Sequence, residues 1–210
     1  MRILIADDHP IICVALGEML KTALGPALAR VATVADSTTL LSGYDAAPFD
    51  LLVLDLMMPG AIDSIPLVER LVELRRDIPV IVYSGAQQPL LALHALGAGA
   101  RAFVSKASGV ELAIEAVRAV ALGGTFLDPH IDLDAARHHP WNSLTPGEKG
   151  VIVALASGAH LHALAIDTHR SYKTVTAHKY AALRKLRLNS KTDLKHYLSD
   201  IGLGYLLAPA

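Results

Sequence analysis

With 210 residues, 52% of them hydrophobic, the chain has apolar material for two small buried cores, and a disordered chain is excluded. One cysteine, Cys13, rules out an intrachain disulfide and a secreted disulfide scaffold, so the expected compartment is the reducing cytoplasm. The net charge of −1 hides a split: −4 over residues 1–122 (9 Lys/Arg, 13 Asp/Glu), −2 over 123–142 (1 and 3) and +5 over 143–210 (9 and 4), an acidic front and a basic rear able to meet a polyanion.

The first apolar run, Ile3 to Ala6, is too short for a signal-peptide core and reads as a strand. No later stretch has the roughly 18 uncharged apolar residues of a membrane span, so no membrane partner is expected. Helical spacing follows over 11–24, a weaker strand over 30–34, and a strongly apolar strand over 51–54. A helix over 65–76, a strand over 80–83, a helix over 90–96, a strand over 102–104 and a helix over 110–122 complete the front half. Alternating strands and helices imply parallel strands covered on both faces: an α/β, doubly wound, five-stranded, flavodoxin-like domain over 1–122.

Gly, Asp, His and Pro dominate residues 123–142, which read as a linker. Helices are predicted after it near 146–157, 161–168, 171–188 and 192–201, an all-α domain over 143–210. Thr145-Pro146 with Glu148 spells an N-cap, a proline at the first helical position and a capping box, while Gly158 suits the end of that helix.

In an open parallel sheet, functional groups gather at the carboxyl ends of the strands. Asp7 and Asp8 end the first strand, Asp55 the third and Ser84 the fourth, while Lys106 follows the fifth. Carboxylates held together repel unless a cation joins them, and hard oxygen ligands suit Mg²⁺. The set reads as a phosphoryl-transfer site. Asp55 would be the nucleophile and phosphoacceptor, with the metal and Lys106 neutralising the transferred group and Ser84 hydrogen-bonding it. Any one of these aspartates alone would more simply cap a helix or turn a loop.

These residues also carry a resemblance. Asp7-Asp8-His9-Pro10, Asp55-Leu56-Met57-Met58-Pro59-Gly60, Ser84-Gly85-Ala86 and Phe103-Val104-Ser105-Lys106 stand in the order of the motifs of response-regulator receiver domains. The resemblance implies Mg²⁺ held by Asp8, Asp55 and the main-chain carbonyl of Met57, with Asp7 assisting, and Phe103 as the aromatic switch. It also implies a population shift that reshapes the face of the fourth helix and last strand. On sequence alone Phe103 reads equally as a core strand residue. Ala61-Ile62-Asp63-Ser64 departs from the family's compact turn, so an altered loop with an intact site is expected.

The rear domain is similar to the helix-turn-helix domain of the NarL/FixJ and LuxR regulators, on Leu144-Thr145-Pro146, Glu148, Gly158, Leu164-Ala165, Ser171, Lys173-Thr174-Val175, His178 and Lys185-Leu186. The resemblance makes Ser171 the cap of a recognition helix entering the major groove. Lys173, Thr174, Thr176, Ala177, His178, Lys179, Tyr180 and Arg184 are its DNA-facing candidates, with Lys173, Lys179, Arg184 and Lys185 meeting phosphates. Val175, Leu183 and Leu186 have buried-face spacing. A lone helix histidine such as His178 serves structure more readily than DNA. Leu161, Gly147, Gly150 and Thr176 depart from the family pattern. The tail Asp193 to Leu198 is similar to that of capsule-synthesis regulators, some of which pair with auxiliary proteins. The spacing of His160, His162, His169 and His138-His139 fits no tight zinc site.

The expected protein is a two-component response regulator, not an enzyme, phosphorylated on Asp55 by a sensor histidine kinase or phosphotransfer protein. It would bind DNA as a homodimer, with an auxiliary regulator as a further partner. A Mg²⁺-dependent phosphohydrolase would form the same phosphoaspartate but needs a second acid-base carboxylate, and the residue two after Asp55 is Met57. A protein-binding output without DNA affinity is a third reading.

Overall fold

A computed structural model describes residues 1–45, 48–189 and 192–207. The chain forms two compact units, Met1–Gln87 with Leu91–Ile131, and Asp132–Ala210 with Gln88–Leu90.

In the first unit the β-branched runs become strands β1 (Arg2–Ala6), β2 (Arg30–Val34), β3 (Leu51–Leu54), β4 (Val80–Ser84) and β5 (Ala102–Ser105). The sheet has six strands rather than the expected five, in the order β2-β1-β3-β4-β5-β6, with β6 (Phe126–Leu127) inside the segment read as linker. Every neighbouring pair is parallel, and β6 aligns Phe126 with Ala102 and Leu127 with Phe103. A strand of two residues is too short to give a periodic signal, so it was illegible in the sequence.

Helices α1 (Pro10–Leu24), α2 (Ser37–Gly43), α3 (Ser64–Leu74), α4 (Pro89–Gly97) and α5 (Val110–Ala121) connect the strands. The sequence reading missed α2, whose Ser-Thr-Thr start is poor helix material. Asp36 starts it by accepting a hydrogen bond from the Thr39 amide at 2.7 Å. One face of the sheet is sealed by Cys13, Leu16 and Leu20 of α1 and Ala113, Ile114 and Val117 of α5, packed on Ile3, Ile5, Leu51, Val53, Ile81 and Val104. Residues 10–27 reach a mean hydropathy of 1.2, long and apolar enough for a membrane span, yet Leu16 and Leu20 are fully buried in this core.

The second unit holds α6 (Leu133–His138), α7 (Pro146–Ala156), α8 (Leu161–Asp167), α9 (Tyr172–Leu186) and α10 (Leu194–Asp200). The former linker thus also supplies α6 and a 3-10 turn, Pro140–Ser143, carrying the buried Trp141. Val151, Ala165 and Val175 form the core of the three-helix set, with Leu155, Leu161 and Leu164 packed against it. Leu161 therefore serves packing. The capping box at Thr145 and Glu148 forms, and Gly158 takes a φ of +91° just past the end of α7.

Candidate phosphoryl-transfer site and nucleic-acid interface

Strand order reverses between β1 and β3, the topological switch point where an open α/β sheet has its crevice. Asp7 and Asp8 leave the end of β1, and Asp55 leaves the end of β3, where the Asp55 amide donates to the Ala6 carbonyl at 2.8 Å. The fold therefore brings the three carboxylates together: one ligand atom each from Asp7, Asp8, His9 and Asp55 lies within 4.8 Å of all the others. Asp7 and Asp55 are each only 3% exposed, a placement that free carboxylates resist.

Lys106 offsets that charge. Its Nζ lies 2.7 Å from Asp7 Oδ2 and 2.6 Å from Asp55 Oδ2. Burial works against the Lys106 charge, but hydrogen bonds and attraction from Asp55 and Asp7 outweigh it and raise the ammonium above its ordinary pKa. Asp55 Oδ1 accepts a hydrogen bond from the Met57 amide at 3.2 Å, while the Met57 side chain is exposed.

Asp8 Oδ1 is shut away from solvent without a well-aligned hydrogen bond, although His9 Nδ1 stands 2.9 Å away. An orphaned carboxylate oxygen beside two buried carboxylates is the donor set a hard divalent cation takes, so the residues present fit a metal. Sequence reasoning passed over His9, whose Nδ1 is also 3.0 Å from Asp7 Oδ1, although it stands beside the two aspartates in the chain.

Ser84 ends β4 and aligns with Ser105, the residue before Lys106. It is fully buried, and its Oγ accepts from the Ala86 amide at 3.4 Å. Phe103 is also fully buried, on the sheet face opposite Ala102 and Val104. The Ala61 to Ser64 loop leads into α3 through Ser64, which takes a φ of +53° and donates its amide to the Leu56 carbonyl at 2.8 Å.

In the second unit Ser171 caps α9, its Oγ accepting from the Thr174 amide at 3.0 Å. Lys173, Thr174, Ala177, Tyr180 and Arg184 are exposed, and 173, 177, 180 and 184 follow the i, i+4, i+7 stripe of one helix face. The other candidates are half-buried. Lys179 lays its Nζ 5.6 Å from the centre of the Tyr180 ring. His178 presents Nε2 to Arg170 Nη1 at 3.5 Å, and the bare Gly147 leaves the room: a Cβ there would stand 3.3 Å from the His178 ring. The hydroxyl of Thr176 is buried and unpartnered, turning it from the exposed stripe.

Lys185, expected at phosphates, is half-buried and pairs within the unit, 2.7 Å from Glu148 Oε2 and 3.1 Å from the Ser143 carbonyl. Two exposed residues escaped sequence reasoning: Tyr172, which opens α9, and Arg170, whose only signal was its place just before the cap.

Comparison with known proteins agrees with this division. The response regulator receiver domain matches residues 3–118, and the luxR family of bacterial regulatory proteins matches residues 142–198. Transcriptional regulatory protein UhpA of Salmonella typhimurium is 33% identical over 202 residues, covering 95% of this chain and 98% of its own length. Oxygen regulatory protein NreC of Staphylococcus carnosus is 27% identical, covering 94% and 96%. Among solved structures, RcsB from Salmonella enterica serovar Typhimurium, bound to a promoter with the phosphomimetic BeF3⁻, superposes with a TM-score of 0.71 at 25% identity, covering 96% and 98%. A further structure similar to this chain holds two RcsB dimers bound to two parallel DNAs, with a TM-score of 0.70. The chain belongs to the two-component response regulators of transcription that join a receiver domain to a LuxR-type helix-turn-helix domain.

Proposed function

We propose that Asp55 is the phosphoacceptor of this regulator and that its phosphorylation governs DNA binding by α9. One observation carries the reading: a lysine bridging two buried carboxylates at the sheet's switch point. The Asp55 carboxylate attacks the phosphorus of a phosphohistidine on a sensor kinase or phosphotransfer protein, and the donor nitrogen leaves with the bonding electron pair. Lys106 follows the charge onto the phosphoryl oxygens, and the Ser84 hydroxyl donates to one of them. Asp7, Asp8, Asp55 and the Met57 carbonyl would hold Mg²⁺, which supplies further positive charge there. Phe103, the second residue of β5, repacks with the movement of Ser84 and carries the change to the β5 face.

On the output side, the exposed Lys173, Thr174, Ala177, Tyr180 and Arg184 form the groove-facing stripe, with Lys173 and Arg184 on phosphates. Lys179 flanks them, while His178 and Thr176 set the pose of α9 from its half-buried side. RcsB, a similar protein, is seen as dimers bound to DNA, which supports a homodimer here; two half-sites and an auxiliary protein as a further partner complete the reading.

Labelling with acetyl phosphate and Mg²⁺ tests the acceptor. Wild-type protein should take up hydroxylamine-labile phosphate, and Asp55→Asn should take up none while keeping its fold. Equal labelling of the variant refutes the assignment.

A further inference from the structure

The carboxyl edge of the sheet carries one more buried acid, at the end of the sixth strand. Asp128 is fully buried, 23 residues beyond Ser105 in the chain. Its Oδ2 accepts from the Ser105 amide at 3.0 Å, and its own amide donates to the Phe103 carbonyl at 2.9 Å. Oδ1 accepts from the His130 amide at 2.9 Å and lies 3.0 Å from His130 Nδ1. The residue therefore holds β5 on both sides of Val104, its main-chain amide at Phe103 and its carboxylate at Ser105, one residue before Lys106. The Ser105 side chain continues the turn, its Oγ accepting from the Ala107 amide at 3.2 Å.

Burial alone would push the Asp128 carboxyl up, yet hydrogen bonds from Ser108, from the His130 and Ser105 amides and from the His130 ring hold it below the ordinary carboxylate range. The group is thus an anion bound by main-chain donors, a stiff joint between β6 and the lysine turn. Ser108, His130 and Asp128 are not a nucleophile triad: Ser108 Oγ and Asp128 Oδ1 both address the same ring nitrogen, His130 Nδ1, at 3.4 and 3.0 Å.

We infer that Asp128 is a positioning residue for phosphoryl transfer, fixing through the Ser105 main chain the turn that holds Lys106 between Asp7 and Asp55. The inference rests on Asp55 being the phosphoacceptor. Lys106 has a flexible four-carbon stem, so the location of its Cα decides whether Nζ meets both carboxylates at once. The metal ligands follow β1 and β3 and make no bond to Asp128, and a displaced Lys106 contests the metal's space less. Loss of Asp128 should therefore slow transfer and leave metal affinity intact.

The test is the rate of full-length protein phosphorylation by saturating acetyl phosphate, with Mg²⁺ affinity measured in parallel by titration calorimetry. Asp128→Ala should lower the maximal rate roughly tenfold, the worth of a charge-assisted hydrogen bond transmitted to the transition state, with the Mg²⁺ dissociation constant no weaker than in the wild type. The isosteric Asp128→Asn, which keeps one carbonyl oxygen and folds if the alanine variant does not, should lose about threefold. Wild-type rates in Asp128→Asn, or a parallel fall of rate and Mg²⁺ affinity in either variant, overturn the inference. Wild-type protein that takes no label on Asp55 overturns instead the reading on which the inference rests.

Discussion

Replacing Lys106 by Met removes the only ammonium seen between Asp7 and Asp55 among the described residues, while keeping most of the side chain's apolar bulk. The acidic oxygens lie within 4.8 Å of one another, where two unit charges at an effective dielectric near 20 repel by about 3–4 kcal/mol. Breaking a buried pair typically costs a similar amount, so the receiver unit should lose about 3 kcal/mol, or roughly 10 °C of its transition temperature, in EDTA. A divalent cation can then occupy the space that the ammonium contested. At about a hundred times its dissociation constant it restores roughly 2.7 kcal/mol, so Mg²⁺ should raise the variant's transition more than the wild type's. Scanning calorimetry of the full chain reads both. Fluorescence of Trp141, the single tryptophan, marks the transition of the other unit. A loss below about 1 kcal/mol, or equal Mg²⁺ shifts in the two proteins, would refute the electrostatic account of the site.

Glu148→Ala should destabilise the helix-turn-helix unit by about 2 kcal/mol in a Trp141-monitored denaturation, because Glu148 Oε2 serves both the Thr145 amide at 2.8 Å and Lys185 at 2.7 Å. Its folded pKa is depressed, first by the Lys185 hydrogen bond, so this stabilisation is present above the ordinary 4.5 and fades as pH falls through the folded value. A pH-independent loss below 4.5 would contradict it. Ser64→Gly should stabilise the receiver by about 0.5–1 kcal/mol in calorimetry by relieving the left-handed φ of +53°; a destabilised variant would show that the side chain, not the backbone, decides there. Arg184→Ala should weaken binding to all DNA sequences alike and make the salt slope shallower by about 0.9, measured by fluorescence anisotropy, whereas a sequence-selective loss would make Arg184 a base reader.

The meeting of Asp7, Asp55 and Lys106 was legible because each stands at or just past the end of an apolar run: Leu51 to Leu54 reads as a buried parallel strand, which sets Asp55 at its carboxyl edge. Asp128 was not legible. Its strand is two residues long and its hydrogen-bond partners are main-chain amides, which leave no side-chain pattern in the sequence. Lys185 reads as a phosphate contact by charge and helix position, but Glu148, 37 residues earlier, claims it through the fold. Helix spacing separated Val175, Leu183 and Leu186 as core, and all three are buried. Thr176 and His178 fall between the faces, where a hundred degrees per residue cannot say whether a side chain turns toward Gly147 or toward the groove.

The central claim is that occupancy of Asp55 is transmitted to DNA binding. Sedimentation velocity and DNA affinity, measured side by side with and without beryllofluoride plus Mg²⁺, test it directly. The account predicts that the mimic promotes dimerisation and tightens DNA binding in the wild type, and does neither in Asp55→Asn. Wild-type protein whose oligomeric state and DNA affinity are both indifferent to the mimic would contradict it.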